Sequence, residues 1–244
     1  MMRKSLGVIC SIFVMLIMSC KDNPTVSSPE VIVGSGNLVT EVRTLAPFHS
    51  VVLNTVGNAN LRYGAAQAVS VTVNDNIMEY IRTTVSDGTL IIDVETGHRF
   101  TNFNLTVDII MTDLEKLSNS SAGSINGKNK FPVDSVRLDL SGAGEIGLKL
   151  EVDQLNSSLS GAGNIVLSGN VASHQIAHSG AGNLLAFDLI TETTTISLSG
   201  AGKEEVHVNQ LLDVTISGAG SVYYKGHPTI IQNITGSGSL IDAN

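Results

Sequence analysis

The chain has 244 residues, room for one large domain or two small ones. It holds 24 glycines, only 4% aromatics with no Trp, and 15% charged residues, a composition that favours turn-rich β structure. A net charge of -8 excludes a basic nucleic-acid binder, and 42% apolar residues exclude a disordered chain.

The chain opens on a short basic stretch, Met1-Met2-Arg3-Lys4, followed by an apolar run from Leu6 to Met18. That run is too short to span a bilayer, which takes about 20 residues, and fits the apolar region of a signal peptide. It ends in Ile17-Met18-Ser19-Cys20, which resembles a bacterial lipobox. The resemblance implies cleavage after residue 19 and acylation, by palmitate or a similar chain, of Cys20 as the new N-terminus. Lys21 rather than Asp after the cysteine resembles outer-membrane sorting. The expected location is the outer membrane, on its surface or periplasmic face, with the membrane as partner through the N-terminal lipid. Cys10 leaves with the signal, so residues 20 to 244 keep no free thiol and no disulfide, and thiol catalysis and Cys-ligated metal are excluded. These residues carry a net charge of -10, so acyl chains rather than attraction to anionic head groups would hold the body. Residues 20–33, with Pro24, Pro29 and several Ser and Thr, read as a flexible tether, and residues 34–244 as one domain.

Residues 62 to 118 have irregular spacing. Ala68 to Val73 reads as a strand, Asn74-Asp75-Asn76 as the cap of a short helix running to Ile81, and Leu105 to Met111 as a further strand. Arg82 to Val94 reads as a hairpin closed at Asp87-Gly88. This β-rich elaboration is expected to cover an open strand edge near the N-terminal end of the body.

The tetrapeptide SGAG then recurs five times, from Ser141, Ser160, Ser179, Ser199 and Ser217, at gaps of 19, 19, 20 and 18. Weaker copies start at Val33, Asn54, Ser120 and Thr235. Short-period self-similarity marks a solenoid. Apolar residues alternate on either side of the motif, as in Val136, Leu138, Leu140 and in Ile196, Leu198, so the repeat unit is β rather than helical. The expected fold is all-β: a parallel β-helix of about 19-residue coils, each made of two short strands and a bend, with both ends capped. Gly142, Gly144, Gly161, Gly163, Gly180, Gly182, Gly200, Gly202, Gly218 and Gly220 would serve the bends through positive φ or close backbone approach.

GSGNLVTEVRTL near the start, NDNIMEYI, VSDGTLII, the SGAG series and SGAGSVYYKGHPTI occur in this order. Together they resemble the auto-transporter adhesin head GIN domain family over residues 34 to 240. The resemblance implies a right-handed β-helix and an adhesive role, and brings no catalytic motif.

The fourth residue after each Ser forms an expected outward ladder: Asn58, Ser124, Glu145, Asn164, Asn183, Lys203, Ser221 and Ser239. Its stretch Glu145, Asn164, Asn183, Lys203, Ser221 is the expected edge for a glycan or protein ligand. His178 falls in the slot of Leu140, Leu159, Leu198 and Ile216, with His174 on the same face. Neither has the further ligands a metal needs, so no metal or cofactor is expected. Glu204 also falls in an apolar slot, where a one-residue bulge would turn it out and Val206 in. Tyr224 is expected inward and Tyr223 outward. SGAGN lacks the Asp of calcium-binding repeats. Polysaccharide-cleaving β-helices would need converging carboxylates. Here Asp139, Glu145, Glu151 and Asp153 lie among Arg137 and Lys149 at ordinary surface density. The expected function is a non-catalytic binding or adhesion module. An envelope enzyme acting on polysaccharide and a self-assembling scaffold are the alternatives.

Overall fold

The computed structural model describes residues 29–244, so the expected signal peptide, Cys20 and the tether up to residue 28 lie outside the described residues. The last residues of the segment assigned to the tether form a strand. Glu30–Val33 forms a strand paired in parallel with His98–Thr101. Tyr80 packs on His98 and Phe100 at ring separations of 4.9 and 5.5 Å, and Phe100 on Phe103 at 5.8 Å, which fastens this two-stranded ribbon to the body.

The body is a β-solenoid of about seven turns at roughly 19-residue spacing. Its coils are longer and more continuous than two short strands. Glu145–Leu159, Asn164–His178, Asn183–Leu198 and Lys203–Ile216 are strands of 15, 15, 16 and 14 residues. Alternation persists through the middle of each, as in buried Leu148, Leu150 and Val152 between exposed Lys149 and Glu151, so the strand bends without ending. Each coil pairs in parallel with the next, and their inward rows form one continuous apolar core.

The SGAG segments stack directly on one another. Ser160 N–H donates to the Leu140 carbonyl at 3.0 Å, Ala162 N–H to Gly142 at 3.1 Å and Asn164 N–H to Gly144 at 3.0 Å, and later coils repeat the pattern. Positive φ occurs at Gly36, Gly57, Gly88, Gly97, Gly169 and Gly226, and at no glycine of an SGAG bend. The bend needs glycine for the other reason: closeness. A Cβ on Gly161 or Gly163 would stand 2.0 Å from the carbonyl oxygen of Gly142 or Gly144.

At the N-terminal end the elaboration covers the solenoid as expected. The hairpin pairs Ile81–Ser86 with Thr89–Val94 across Asp87 and Gly88, both at positive φ, and its second strand continues the stack beneath Ser50–Leu53. Thr106–Met111 pairs with Asn58–Tyr63, then antiparallel with Ala68–Asn74, which pairs with Leu38–Arg43. The expected Asn74-Asp75-Asn76 cap does not form. The short helix is one 3-10 turn, Met78–Tyr80, without a side-chain cap. Asp75 instead accepts hydrogen bonds from Ser35 and Asn37, Asn76 bonds Val33 and Ser35, and Asn74 is buried. These side chains tie the first loop to the body.

Thr229–Ile234 is exposed along its whole length, and among the described residues its outer edge has no strand partner.

Candidate functional site

The ladder is in unbroken register. Asn58 pairs with Ser124, Ser124 with Glu145, and the line runs on through Asn164, Asn183, Lys203, Ser221 and Ser239. Glu145, Asn164, Asn183, Lys203 and Ser221 are half-buried along one edge. Neighbours bond along the line. Asn183 Nδ2 donates to Asn164 Oδ1 at 2.9 Å, and the Ser221 and Ser239 hydroxyls lie 3.1 Å apart. Lys203 pairs with Glu205 and sits 5.1 Å from the Tyr223 ring centre.

Two residues beyond the ladder, the same sheet hollows into a groove of ≈ 640 Å³. Gly147, Val166 and Leu185 line it, with Phe187, Glu205 and Lys225 at one end. Lys225 Nζ stands 4.6 Å from the Phe187 ring centre. An aromatic face, a cation and a carboxylate thus meet beside a row of amides, the functional groups that saccharide hydroxyls and polar peptide surfaces engage. Sequence reasoning missed Phe187 and Lys225. They are 38 positions apart in the chain, and a bulge brings them together.

That bulge also corrects the reading of Glu204. The coil from Ser179 to Leu198 holds the extra residue of the 20-residue gap. It is absorbed where Val166 pairs with Leu185 but Ser168 with Asp188, beside Phe187. No bulge forms at Glu204, which pairs between Leu184 and Val222 and is 0% exposed. Val206 is buried as well, so the alternation runs unbroken through both. Glu204 Oε1 bonds Nδ1 of His178 in the core, which explains how a carboxyl can occupy an apolar slot. Burial raises the Glu204 pKa above the ordinary carboxyl value, against the opposing pull of the His178 hydrogen bond and charge. The far atoms of the pair, His178 Nε2 and Glu204 Oε2, have no partner.

His174 is buried too, with Nε2 2.9 Å from the Ser157 hydroxyl. Burial lowers its pKa from 6.5 to about 3. Below pH 6.5 the unfolded chain therefore takes up a proton that the native state refuses, and stability falls as the pH drops toward 3. The melting temperature should decline between pH 6.5 and pH 4, and less steeply in His174→Leu than in the parent. Equal slopes in the two proteins would contradict this.

Of the carboxylates considered for polysaccharide cleavage, Glu151 and Asp153 line one hollow of ≈ 510 Å³ with Asp134 and Glu192, while Asp139 and Glu145 stand outside it. Asp139 is held by Arg137 at 2.9 Å and Lys116 at 3.0 Å, Glu151 pairs with Lys130, and Glu145 stands on the ladder. No group of three or more metal-ligating side chains occurs among the described residues. Nor is any described helix long and apolar enough to cross a membrane. Tyr224 packs partly against the core, as expected, and Tyr223 lies under Lys203.

A crystal structure of a putative adhesin from Bacteroides fragilis superposes with a TM-score of 0.83 at 25% identity, covering 86% of this chain and 99% of that one. A structure titled putative lipid binding protein, from Parabacteroides distasonis, gives a TM-score of 0.75 at 22% identity over 88% of this chain and 100% of the other. A putative adhesin from Parabacteroides merdae gives 0.70 at 22% identity over the same shares. Among curated proteins none matches the chain. The profile of one family matches residues 47–228, which span the elaboration of residues 62 to 118 and the solenoid up to its last two strands. The chain belongs to that family, described as "Putative auto-transporter adhesin, head GIN domain".

Proposed function

We propose that the protein is a non-catalytic binding module of the cell envelope, anchored by lipid on Cys20 at the outer membrane. It meets a glycan or protein partner along the bend ladder and its groove. The observation that carries this reading is the ladder itself: eight polar positions in unbroken register, from Asn58 to Ser239. Neighbouring positions lie about 4.8 Å apart, the spacing of paired strands. A partner lying along this edge touches several coils at once. Each contact is weak and exposed to water, and the affinity comes from their number. Lys203, Glu205, Phe187 and Lys225 add the charged and aromatic contacts that fix orientation.

Binding is read on glycan and protein arrays. Single alanine substitutions on the ladder should cost little, while Asn164→Ala, Asn183→Ala and Lys203→Ala together should abolish binding at an unchanged melting temperature. Full binding by the triple variant would reduce the edge to a solvated corner. The anchor is tested separately by growing cells with a clickable fatty acid. Wild type should take the label and Cys20→Ala should not, and equal labelling would refute the anchor.

A further inference from the structure

Resting on the ladder reading, we propose that the binding surface continues past the solenoid onto the antiparallel strands of the N-terminal elaboration, and that its occupant is an extended, uncharged polysaccharide lying across the strands. Asn58 pairs with Ser124 on one side and with Thr106 on the other. Thr106 pairs in turn with Thr72, and Thr72 with Thr40. Paired residues share a face of the sheet. Thr72 stands between buried Val71 and Val73, and Thr106 between buried Leu105 and Val107, so both point outward with the ladder. The Thr40 and Thr72 hydroxyls lie 2.8 Å apart. These three threonines lengthen the row from eight polar positions to eleven, roughly 48 Å at the spacing of paired strands.

The row that carries the groove continues in the same direction. Gly147 pairs with Asn126, Asn126 with Asn60, and Asn60 with Asp108. A second hollow of ≈ 190 Å³ opens there, lined by Asn60, Arg62, Asp108, Ile110 and Lys128. Asn60 Nδ2 donates to Asp108 Oδ1 at 2.9 Å, which orients an exposed carboxylate at this hollow. Carboxylate, amide and guanidinium together can accept from and donate to the hydroxyls of one sugar ring. The groove beside Phe187 and this hollow are thus two stations on one face.

Two features select a polysaccharide as the occupant. The first is chemistry. Of the eleven rungs only Glu145 and Lys203 are charged, and they differ in sign, as do Asp108 and Arg62 beside them, so the face suits neither a polyanion nor a polycation. A sugar ring shows hydroxyls at its rim and C–H groups on its faces. The rungs meet the hydroxyls, while Val166, Leu185 and Phe187 in the groove meet the C–H faces. A protein partner would instead draw on an apolar centre with aromatic or Arg anchors, which the row lacks. The second feature is direction. The row runs across the strands, whereas a sheet captures an extended peptide along an edge strand, where its backbone finds a ladder. A polysaccharide has no such backbone to satisfy.

Isothermal titration of the full chain in detergent tests this with fragments of xylan, mannan and dextran. Each is used in two sizes, one short enough to meet a few rungs and one long enough to span the row. Long fragments of at least one should bind more tightly than short ones. Thr106→Val with Asp108→Ala should weaken long-fragment binding about tenfold and leave short-fragment binding within about twofold. Melting curves check folding, and Thr72→Val, which keeps the side chain's shape, gives a second variant expected to weaken long fragments in the same direction. Unchanged long-fragment binding by the folded variants overturns the extension. If Asn164→Ala, Asn183→Ala and Lys203→Ala together still abolish that binding, the ladder reading stands without it. Binding of none of the fragments overturns the polysaccharide as occupant, and a protein held on the array by wild type but not by the triple variant would then be the ladder's partner.

Discussion

Glu204→Leu should destabilise the protein by about 1–3 kcal/mol, the cost of leaving a buried hydrogen-bonding group without its partner. The substitution suits its stacked neighbours, Leu184 and Val222, so shape is not the difficulty. The difficulty is His178. It is 1% exposed, its Nε2 already lacks a partner, and loss of Glu204 would leave Nδ1 without one too. His178→Leu with Glu204→Leu should recover most of the loss. His178 stands between Leu159 and Leu198, so the double variant extends an apolar column already present on both sides. Thermal unfolding reads both variants. At about 2–4 °C per kcal/mol for a domain of this size, the single change should lower the melting temperature by roughly 4–8 °C. A single variant within 1 °C of wild type would mean that the pair carries no coupling.

What the sequence discloses about this fold is whatever repeats or closes locally. The SGAG period and the ladder from Glu145 to Ser221 were legible because each coil meets the same constraint at the same place. The Asp87-Gly88 turn was legible because two residues carry its chemistry. What stayed hidden depends on contacts between coils. Glu204 reads as a misfit until His178, 26 residues earlier, is seen against it in the neighbouring coil. The extra residue of the 20-residue gap could sit anywhere in its coil on pattern alone, and packing put it beside Phe187. Asp75 has the composition of a helix cap, yet Ser35 and Asn37 compete for it across 40 and 38 residues. The ladder is readable as geometry, while the groove beside it needs the third dimension, since Phe187 and Lys225 share a face only after folding.

Gly163→Val should destabilise by about 3 kcal/mol or somewhat more, beyond what a strained turn alone would cost. Gly163 has no positive φ, so valine's backbone preference is not the obstacle. The obstacle is the coil beneath. An added Cβ would lie 2.0 Å from the Gly144 carbonyl oxygen, and this oxygen accepts the Asn164 N–H at 3.0 Å. Relief requires the two coils to part at the bend, which breaks that hydrogen bond and lifts the ladder residue Asn164 out of register with Glu145. Gly163→Ala should already show most of the effect, because the first added carbon makes the clash. That separates close approach from φ strain and from β-branching. Denaturant unfolding of both variants distinguishes the accounts. Alanine tolerated at this position would mean that the bends stack less closely than the 2.0 Å approach requires. A comparable loss for both variants makes carbonyl contact between coils the reason that glycine recurs here at each turn.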